Sequence, residues 1–276
     1  MAILDGNYEA LHGSVVEVAK LCALAALKAP KLTGTEIKTK IIVGEVDVRP
    51  IVDVMEILGE VSAFVQGDAQ TIKQNLDAGT PPTLLLIGVN AAKSPVSWED
   101  CGACGFGECG EFNRHATKNF GAGTLFAGPS CMARVIDHGI AMSWAAAAAW
   151  HHHVDNRLQA STGVGAFLLG YMQDVSLVVS LTMGPPGFSI YYDRKSMKRA
   201  YTDDVIQEML MRNIPALFQG FPGDGLPKLK HSKDWMADWR FTQVGKDPEF
   251  EAKNQEVMGK LQAYLGEFQA KRQIQA

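Results

Sequence analysis

The sequence lacks the features that usually bind a nucleic acid or a membrane. Its net charge is −4, and it has no basic stripe and no polybasic patch. Its most apolar segment, residues 139–150, is too short to cross a bilayer. Asp5 and Glu9 stand where a secretory leader would be basic. We therefore expect a cytoplasmic protein with no membrane span and no nucleic-acid partner.

Cysteine is also scarce, and its distribution excludes a disulfide framework. There are five cysteines, an odd number, and three of them lie within residues 101–109. In a cytosolic chain, clustered cysteines more often bind a metal or carry out redox chemistry. A dinucleotide fingerprint is missing as well, because Gly121 and Gly123 follow no predicted strand.

The composition, 47% apolar and 20% charged, is that of a chain able to bury a full core. Hydrophobic periodicity and helix-boundary signals predict the order of elements. The predicted helices cover residues 8–29, 49–58, 68–76, 131–152 with Ser130 as N-cap, 161–169 and 203–211, and an amphipathic helix runs from Asp247 to the C-terminus. The predicted strands are 37–43 with a β-branched run at 41–43, 62–67, a buried central strand at 83–89, 175–183 and 188–192.

The strongest chemical signal is the motif C-x2-C-x4-C formed by Cys101, Cys104 and Cys109. Thiolates from one short loop can surround one corner of a cuboidal iron–sulfur cluster. The interspersed glycines supply the backbone freedom needed for close wrapping, and they let N–H groups point at sulfur. The motif predicts a [4Fe–4S] cluster.

Such a cluster normally takes four ligands. Cys131 is the favoured fourth, because it stands at a predicted helix start, where the helix dipole favours a thiolate. Cys22 lies within an apolar helical stripe and is better explained as a core residue. A non-cysteine or exchangeable fourth ligand stays open. A zinc site, which usually takes two C-x2-C pairs, and a metal-free reactive dithiol are the alternative readings of the motif.

The cysteine motif resembles the four-iron motif of corrinoid iron–sulfur proteins and of electron-transport subunits of anaerobes. A longer resemblance, over about residues 8–195, is to the DUF2148 family of uncharacterised proteins described as containing a ferredoxin domain. The pieces that carry it are residues 27–31, 86–89, 100–109, 128–131, 137–141, 154–157 and 191–194. Both resemblances imply an iron–sulfur redox protein of anaerobic metabolism.

The layout is also similar to the nitroreductase-like fold, through Ala29–Pro30, Gly139–Ala141 and Met183–Pro185. This resemblance implies an α+β fold. Residues 1–200 would be a three-layer body with an inserted iron–sulfur loop (98–131), and residues 201–276 a C-terminal helical extension. Nitroreductases are dimers that bind FMN at the subunit interface. The resemblance therefore implies a homo-oligomer, and it leaves FMN open as a cofactor because the Arg-rich phosphate-binding segment of nitroreductases is missing here.

Asp137 and His138 are the candidate catalytic residues, because they lie about two turns into the helix that begins near Cys131. A histidine there could donate a proton near a redox site, whereas Asp137 could instead form an ion pair with Arg134. The prediction is an oxidoreductase or oxidoreductase component with a ferredoxin-like electron donor or acceptor and a small-molecule substrate. The alternatives are a non-catalytic electron-transfer subunit and a redox sensor.

Overall fold

The computed structural model describes residues 5–94, 100–121, 126–184 and 248–275. Within these ranges the chain forms seven helices and four strands. They are α1 (Tyr8–Lys28), β1 (Ile37–Ile42), α2 (Glu45–Gly59), α3 (Ala63–Asp77), β2 (Thr83–Val89), α4 (Cys109–Asn119), α5 (Met132–His151), β3 (Asn156–Gln159), α6 (Ala160–Leu168), β4 (Leu177–Met183) and α7 (Pro248–Gln275).

The strands form one antiparallel sheet in the order β1-β2-β4-β3. The register places Ile37 opposite Val89 and Thr83 opposite Met183. Every residue of β2 is buried, as expected for a continuous apolar run with neighbours on both sides. The prediction of a buried central strand at residues 83–89 is therefore confirmed.

The sheet lies between two layers of helices, each closing its own hydrophobic core. On one face, α1 and α5 pack on β2 and β4 through small residues such as Ala19, Ala141 and Ala145. On the other face, helices α2, α3, α6 and α7 surround a core that includes Ile51, Ile72 and Leu86. This arrangement confirms the α+β class, while a nitroreductase-like body stays a prediction.

Helix α1 is a central part of the first layer. Asn7 caps it through Oδ1, which accepts the N–H of Ala10 at 3.0 Å. By length and composition alone it is apolar enough to cross a membrane. Its buried stripe, which runs from Val15 to Ala26, packs in the core shared with α5 and the sheet.

The predicted strand at residues 62–67 is wrong, because this segment begins helix α3. Ala69, Ile72 and Leu76 recur at helical spacing and are buried together against α2, so packing of a helical face decides the local conformation. Two elements were not anticipated, the helix α4 and the short strand β3. The predicted strand 188–192 and helix 203–211 lie outside the described residues.

The C-terminal helix packs on the body, as its apolar stripe predicts. Val257 and Leu261 of α7 are buried, and Leu261 joins the core around α2. The Tyr264 hydroxyl donates to Asp53 Oδ2 at 2.8 Å and adds a polar tie to α2. The predicted division of the chain at residue 200 lies outside the described residues and stays a prediction.

Candidate metal centre

The candidate site is built on the segment that follows the central strand. Residues 90–94, called here the floor segment, continue from β2 and are mostly buried. The N–H of Ala91 donates to Ser176 Oγ at 2.8 Å, and Ser176 N–H donates back to the Val89 carbonyl at 2.8 Å. The floor segment is therefore anchored to the sheet on the side of β4.

Both cysteine-bearing helices attach to the floor segment. The N–H of Cys131, just before α5, donates to the Ala91 carbonyl at 2.7 Å. The side chain of Asn113 on α4 accepts the N–H of Ser94 at 2.6 Å. The same five residues, 90–94, thus position the beginnings of α4 and α5, two helices that start more than 20 residues apart in sequence.

The loop before α4 is closed by its own hydrogen bonds. Asp100 Oδ1 accepts the N–H of Cys109 at 2.7 Å, and Gly105 N–H donates to the Gly102 carbonyl at 2.9 Å. Asp100, Gly102 and Gly105 all have positive φ, a conformation that glycine adopts without steric cost and aspartate tolerates. Residues 100–109 therefore form a tight turn with Cys101 on its exposed surface.

Two of the cysteines stand at helix N-termini. Cys109 is the first residue of α4, and Cys131 is the N-cap of α5. The predicted N-cap at Ser130 is therefore wrong by one residue, because it is the Cys131 carbonyl that accepts the first intrahelical bond, from Val135. A negative charge at either position is stabilised by the exposed N–H groups of the helix.

A small apolar cluster joins the cysteine loop to α5. Its buried members are Phe112, Ala116, Cys131 and Ala133, and Cys104 and Phe106 pack against them. The rings of Phe106 and Phe112 meet edge to face at 5.7 Å. The fold therefore brings Cys131 to the loop that carries the other three thiols, and it surrounds this junction with aromatic side chains.

Cys22 lies elsewhere, in the core between α1, α5 and the sheet. It is fully buried among apolar residues. Burial raises the pKa of its thiol to about 11, which keeps it protonated. This is the environment of a packed core cysteine, as its sequence position predicts.

The donor set fits an iron–sulfur cluster in its chemistry. All five cysteines are free thiols, and cysteine thiolates are the ligands that such clusters take. Among the described residues, no three His, Cys, Asp or Glu side chains stand close enough to hold a metal ion. Binding would therefore require the turn at residues 100–109 to close towards Cys131, and the ligand assignment stays a prediction.

Asp137 is completely buried and accepts hydrogen bonds from the segment after α1. Its carboxylate accepts the N–H of Leu32 at 2.6 Å and both the N–H and the hydroxyl of Thr33, at 3.1 and 2.6 Å. Burial acts to raise the pKa of Asp137, but the bonds from Thr33, Thr35 and Leu32 outweigh it and lower that pKa. The geometry gives this side chain a structural role, and a catalytic one stays a prediction.

His138 is buried beside it and faces the sheet. Its Nε2 lies 2.9 Å from the Ile87 carbonyl, a contact that the neutral ring makes when Nε2 carries the proton. Burial lowers the pKa of His138, while the bond to Ile87 opposes that change. The ring is tied to the central strand, and its role as a proton donor also stays a prediction.

Arg134 is a residue whose place in the site was not foreseen. It lies three residues after Cys131, and its NH1 donates to the Asn90 carbonyl at 3.0 Å, on the floor segment. Its Nε is buried without a hydrogen-bond partner in the described part of the chain. Arg134 thus follows Cys131 by one helical turn, and its guanidinium binds the floor segment rather than Asp137.

Comparison with known proteins gives a family and one detailed relative. The model of the family described as "Uncharacterized protein containing a ferredoxin domain (DUF2148)" matches residues 127–194, which include Cys131, Asp137 and His138. An uncharacterized protein of Archaeoglobus fulgidus is 31% identical over 180 residues, which make up 65% of this chain and 91% of the relative. No solved structure matches the chain.

Proposed function

The chain belongs to the DUF2148 family of proteins containing a ferredoxin domain, and on that premise we propose that it is an oxidoreductase, or a component of one, that uses a [4Fe–4S] cluster. The ferredoxin domain of the family indicates an iron–sulfur electron-transfer role. When bound, the cluster would supply one-electron transfer. The proposed ligands are Cys101, Cys104, Cys109 and Cys131.

The observation that carries this proposal is the junction between the cysteine loop and α5. Cys104 packs against the apolar cluster that contains Cys131, and this contact supports Cys131 as the fourth ligand. The N-termini of α4 and α5 add partial positive charge at Cys109 and Cys131. Phe106 and Phe112 would exclude water from one side of the site.

The test is anaerobic purification followed by iron, sulfide, zinc and flavin analysis. We expect about four iron and four sulfide per chain, the content that defines this cluster. Stoichiometric zinc without iron would contradict the proposal and favour the zinc reading. The expectation of FMN is checked on the same sample, since released flavin is measured by its absorbance and fluorescence.

The fourth ligand is tested with a matched pair of cysteine variants. We expect Cys131→Ala to retain fewer than four iron atoms per chain on anaerobic gel filtration, because three thiolates leave one iron open to exchange. Cys22→Ala removes a thiol from the other core, and we expect it to retain full iron. Equal iron in both variants would remove Cys131 from the ligand set.

A second candidate function is a non-catalytic electron-transfer subunit, and the exposure of Cys101 favours it. An exposed ligand would bring one edge of the cluster within reach of a protein partner. The two functions separate in a stopped-flow experiment on the reduced protein. Reoxidation by candidate small-molecule acceptors at a saturable rate supports an enzyme, whereas reoxidation by an oxidised ferredoxin alone supports the subunit.

A further inference from the structure

The outward face of α5 carries no charged side chain. A single stripe runs along the side away from the sheet, at spacings of three and four residues, through Met132, Ile136, Gly139, Ser143, Ala147 and Trp150. The charged groups of the helix lie elsewhere, since Asp137 is buried and Arg134 reaches the floor segment. The surface of a solvated helix normally carries polar and charged residues, so this face has the composition of a contact surface.

Helix α1 adds three exposed leucines to this surface, beside the exposed charged side chains of Glu17, Lys20 and Lys28. Leu21, Leu24 and Leu27 are exposed on the side opposite its buried stripe, with Leu24 52% exposed. The segment from Leu32 to Thr35 holds the end of α1 beside the first half of α5, through Asp137. The two helices therefore present their outward faces side by side.

The exposed apolar area is large for a free surface. If a large apolar side chain offers roughly 200 Å² when fully exposed, the eight on these outward faces together expose roughly 760 Å². They are Leu21, Leu24, Leu27, Leu32, Met132, Val135, Ile136 and Trp150. The largest patch on a typical monomer is about 300–600 Å². A standard protein–protein interface buries about 800 Å² on each partner. The area thus matches what a stable dimer needs.

Gly139 lies in the middle of the stripe without an internal reason for being glycine. A Cβ added there would meet nothing within 4 Å. Glycine inside a helix costs about 1 kcal/mol relative to alanine. The main structural benefit of a missing side chain at an exposed helical position is the close approach of another backbone.

The stripe is complementary to itself when a second copy runs antiparallel. A two-fold axis near Ala141 would place Gly139 opposite Ser143, Val135 opposite Ala147, and Met132 opposite Trp150. Small residues then meet at the centre, and large ones meet at both ends. A two-fold interface requires this self-complementarity, because the same patch serves both subunits.

We propose that two copies of this chain associate through the outward faces of α5 and α1, with the two α5 helices antiparallel about Gly139 and Ser143. In this dimer the 76% exposed Trp150 is covered by the Met132 end of the partner helix. Cys131 lies ten residues from the axis, so the two copies of this residue stand about 30 Å apart at 1.5 Å per residue. Each candidate metal centre then keeps its own access to solvent.

The test is sedimentation velocity on the full chain over about 1–100 μM, with two matched arginine variants. Gly139→Arg adds bulk and charge to the stripe, at a position where an added Cβ would meet nothing within 4 Å. Val46→Arg changes an 85% exposed apolar residue of α2, in the opposite helical layer. We expect the wild type and Val46→Arg to sediment as dimers, and Gly139→Arg as a monomer whose dissociation constant is at least 100-fold higher. Circular dichroism should show the same helical content in all three.

Three results would overturn the proposal. A Gly139→Arg variant that stays dimeric would place the interface elsewhere. A monomeric wild type that floats with phosphatidylcholine vesicles would assign the face to a membrane. A monomeric wild type that does not float would show that neither a second copy nor a membrane covers the face. None of these readouts depends on iron, so they stand apart from the test of the cluster.

Discussion

Asp100 and Cys109 are joined by a 2.7 Å hydrogen bond from the backbone N–H of the cysteine to Oδ1 of the aspartate. This contact closes the turn that carries three of the four candidate thiols. The left-handed backbone at Asp100, with φ of 55°, suits Asp and Asn but is strained for Ala. Asp100 therefore supports the turn in two ways, through its acceptor oxygen and through its tolerance of the left-handed backbone.

For the turn, we expect Asp100→Ala to lose iron several-fold faster than the wild type when the loaded protein meets a chelator. The variant lacks the acceptor for Cys109 and places alanine at a strained φ, together a cost of about 2–3 kcal/mol. Asp100→Asn keeps an acceptor oxygen and should lose iron at nearly the wild-type rate. Equal rates in all three proteins would show that the turn does not limit retention.

For Arg134, we expect Arg134→Gln to make the midpoint potential of the bound cluster more negative. A nearby positive charge stabilises the reduced form, and its loss at a moderate effective dielectric is worth on the order of tens of millivolts. Arg134→Lys should restore most of the shift. Arg49→Gln on α2 is the control and should leave the potential unchanged. A redox titration monitored by electron paramagnetic resonance measures all four proteins.

For Asp137, we expect Asp137→Asn to lower the free energy of unfolding by about 2–3 kcal/mol at neutral pH, because the bonds from Leu32 and Thr33 lose a charged acceptor. The lowered pKa means that this stability is present above the unfolded value of about 3.9 and is lost as the pH falls through the folded value.

The difference between wild type and Asp137→Asn should therefore shrink in acid, which urea denaturation at a series of pH values measures. The exposed Asp174, paired with Lys38, supplies the control, and Asp174→Asn should change stability by less than about 1 kcal/mol. A pH-independent difference would show that packing, rather than charge, accounts for the loss.

For His138, we expect the neutral ring to stabilise the folded state by an amount that is lost on mild acidification. Burial lowers its pKa in the folded state, so below the unfolded value of about 6.5 the unfolded chain binds the proton more readily. Stability should fall as the pH drops below about 6.5, and His138→Gln should flatten that slope. An unchanged slope in the variant would assign the effect to other groups.

For the C-terminal helix, we expect Leu261→Ala to cost about 2–4 kcal/mol, because Leu261 is almost fully buried in the core around α2. Thermal unfolding followed by circular dichroism should then show one cooperative transition at a lower temperature. A separate early transition for α7, with the rest unaffected, would instead support an independent C-terminal extension.

The sequence was most informative where burial and periodicity agree. The run at residues 83–89 and the stripe from Val15 to Ala26 each contain enough apolar residues in one pattern to specify an element and its buried side. The strand predicted at residues 62–67 is wrong because a short apolar segment fits a strand and a helix equally well. Packing of Ile72 and Leu76 against α2 decided between them.

The partners of Asp137 could not be found from local reasoning. The nearest opposite charge in sequence is Arg134, and the ion pair expected from helical spacing does not form. The observed donors, Leu32 and Thr33, lie more than a hundred residues away and meet Asp137 only after α1 has packed beside α5. The sequence identifies the four cysteines as candidate ligands. The packing of Cys104 against the cluster that contains Cys131 depends on tertiary structure and could not be predicted.

The floor segment has a consequence for insertions and deletions in this chain. Ala91 and Ser94 contact Cys131 and α4 through backbone atoms, so the spacing between them, more than their side chains, sets where the two helices begin. A residue added between Ala91 and Ser94 would move α4 along the chain by about 3.3 Å relative to α5. Side-chain changes here should be tolerated wherever they fit, and changes of length should not.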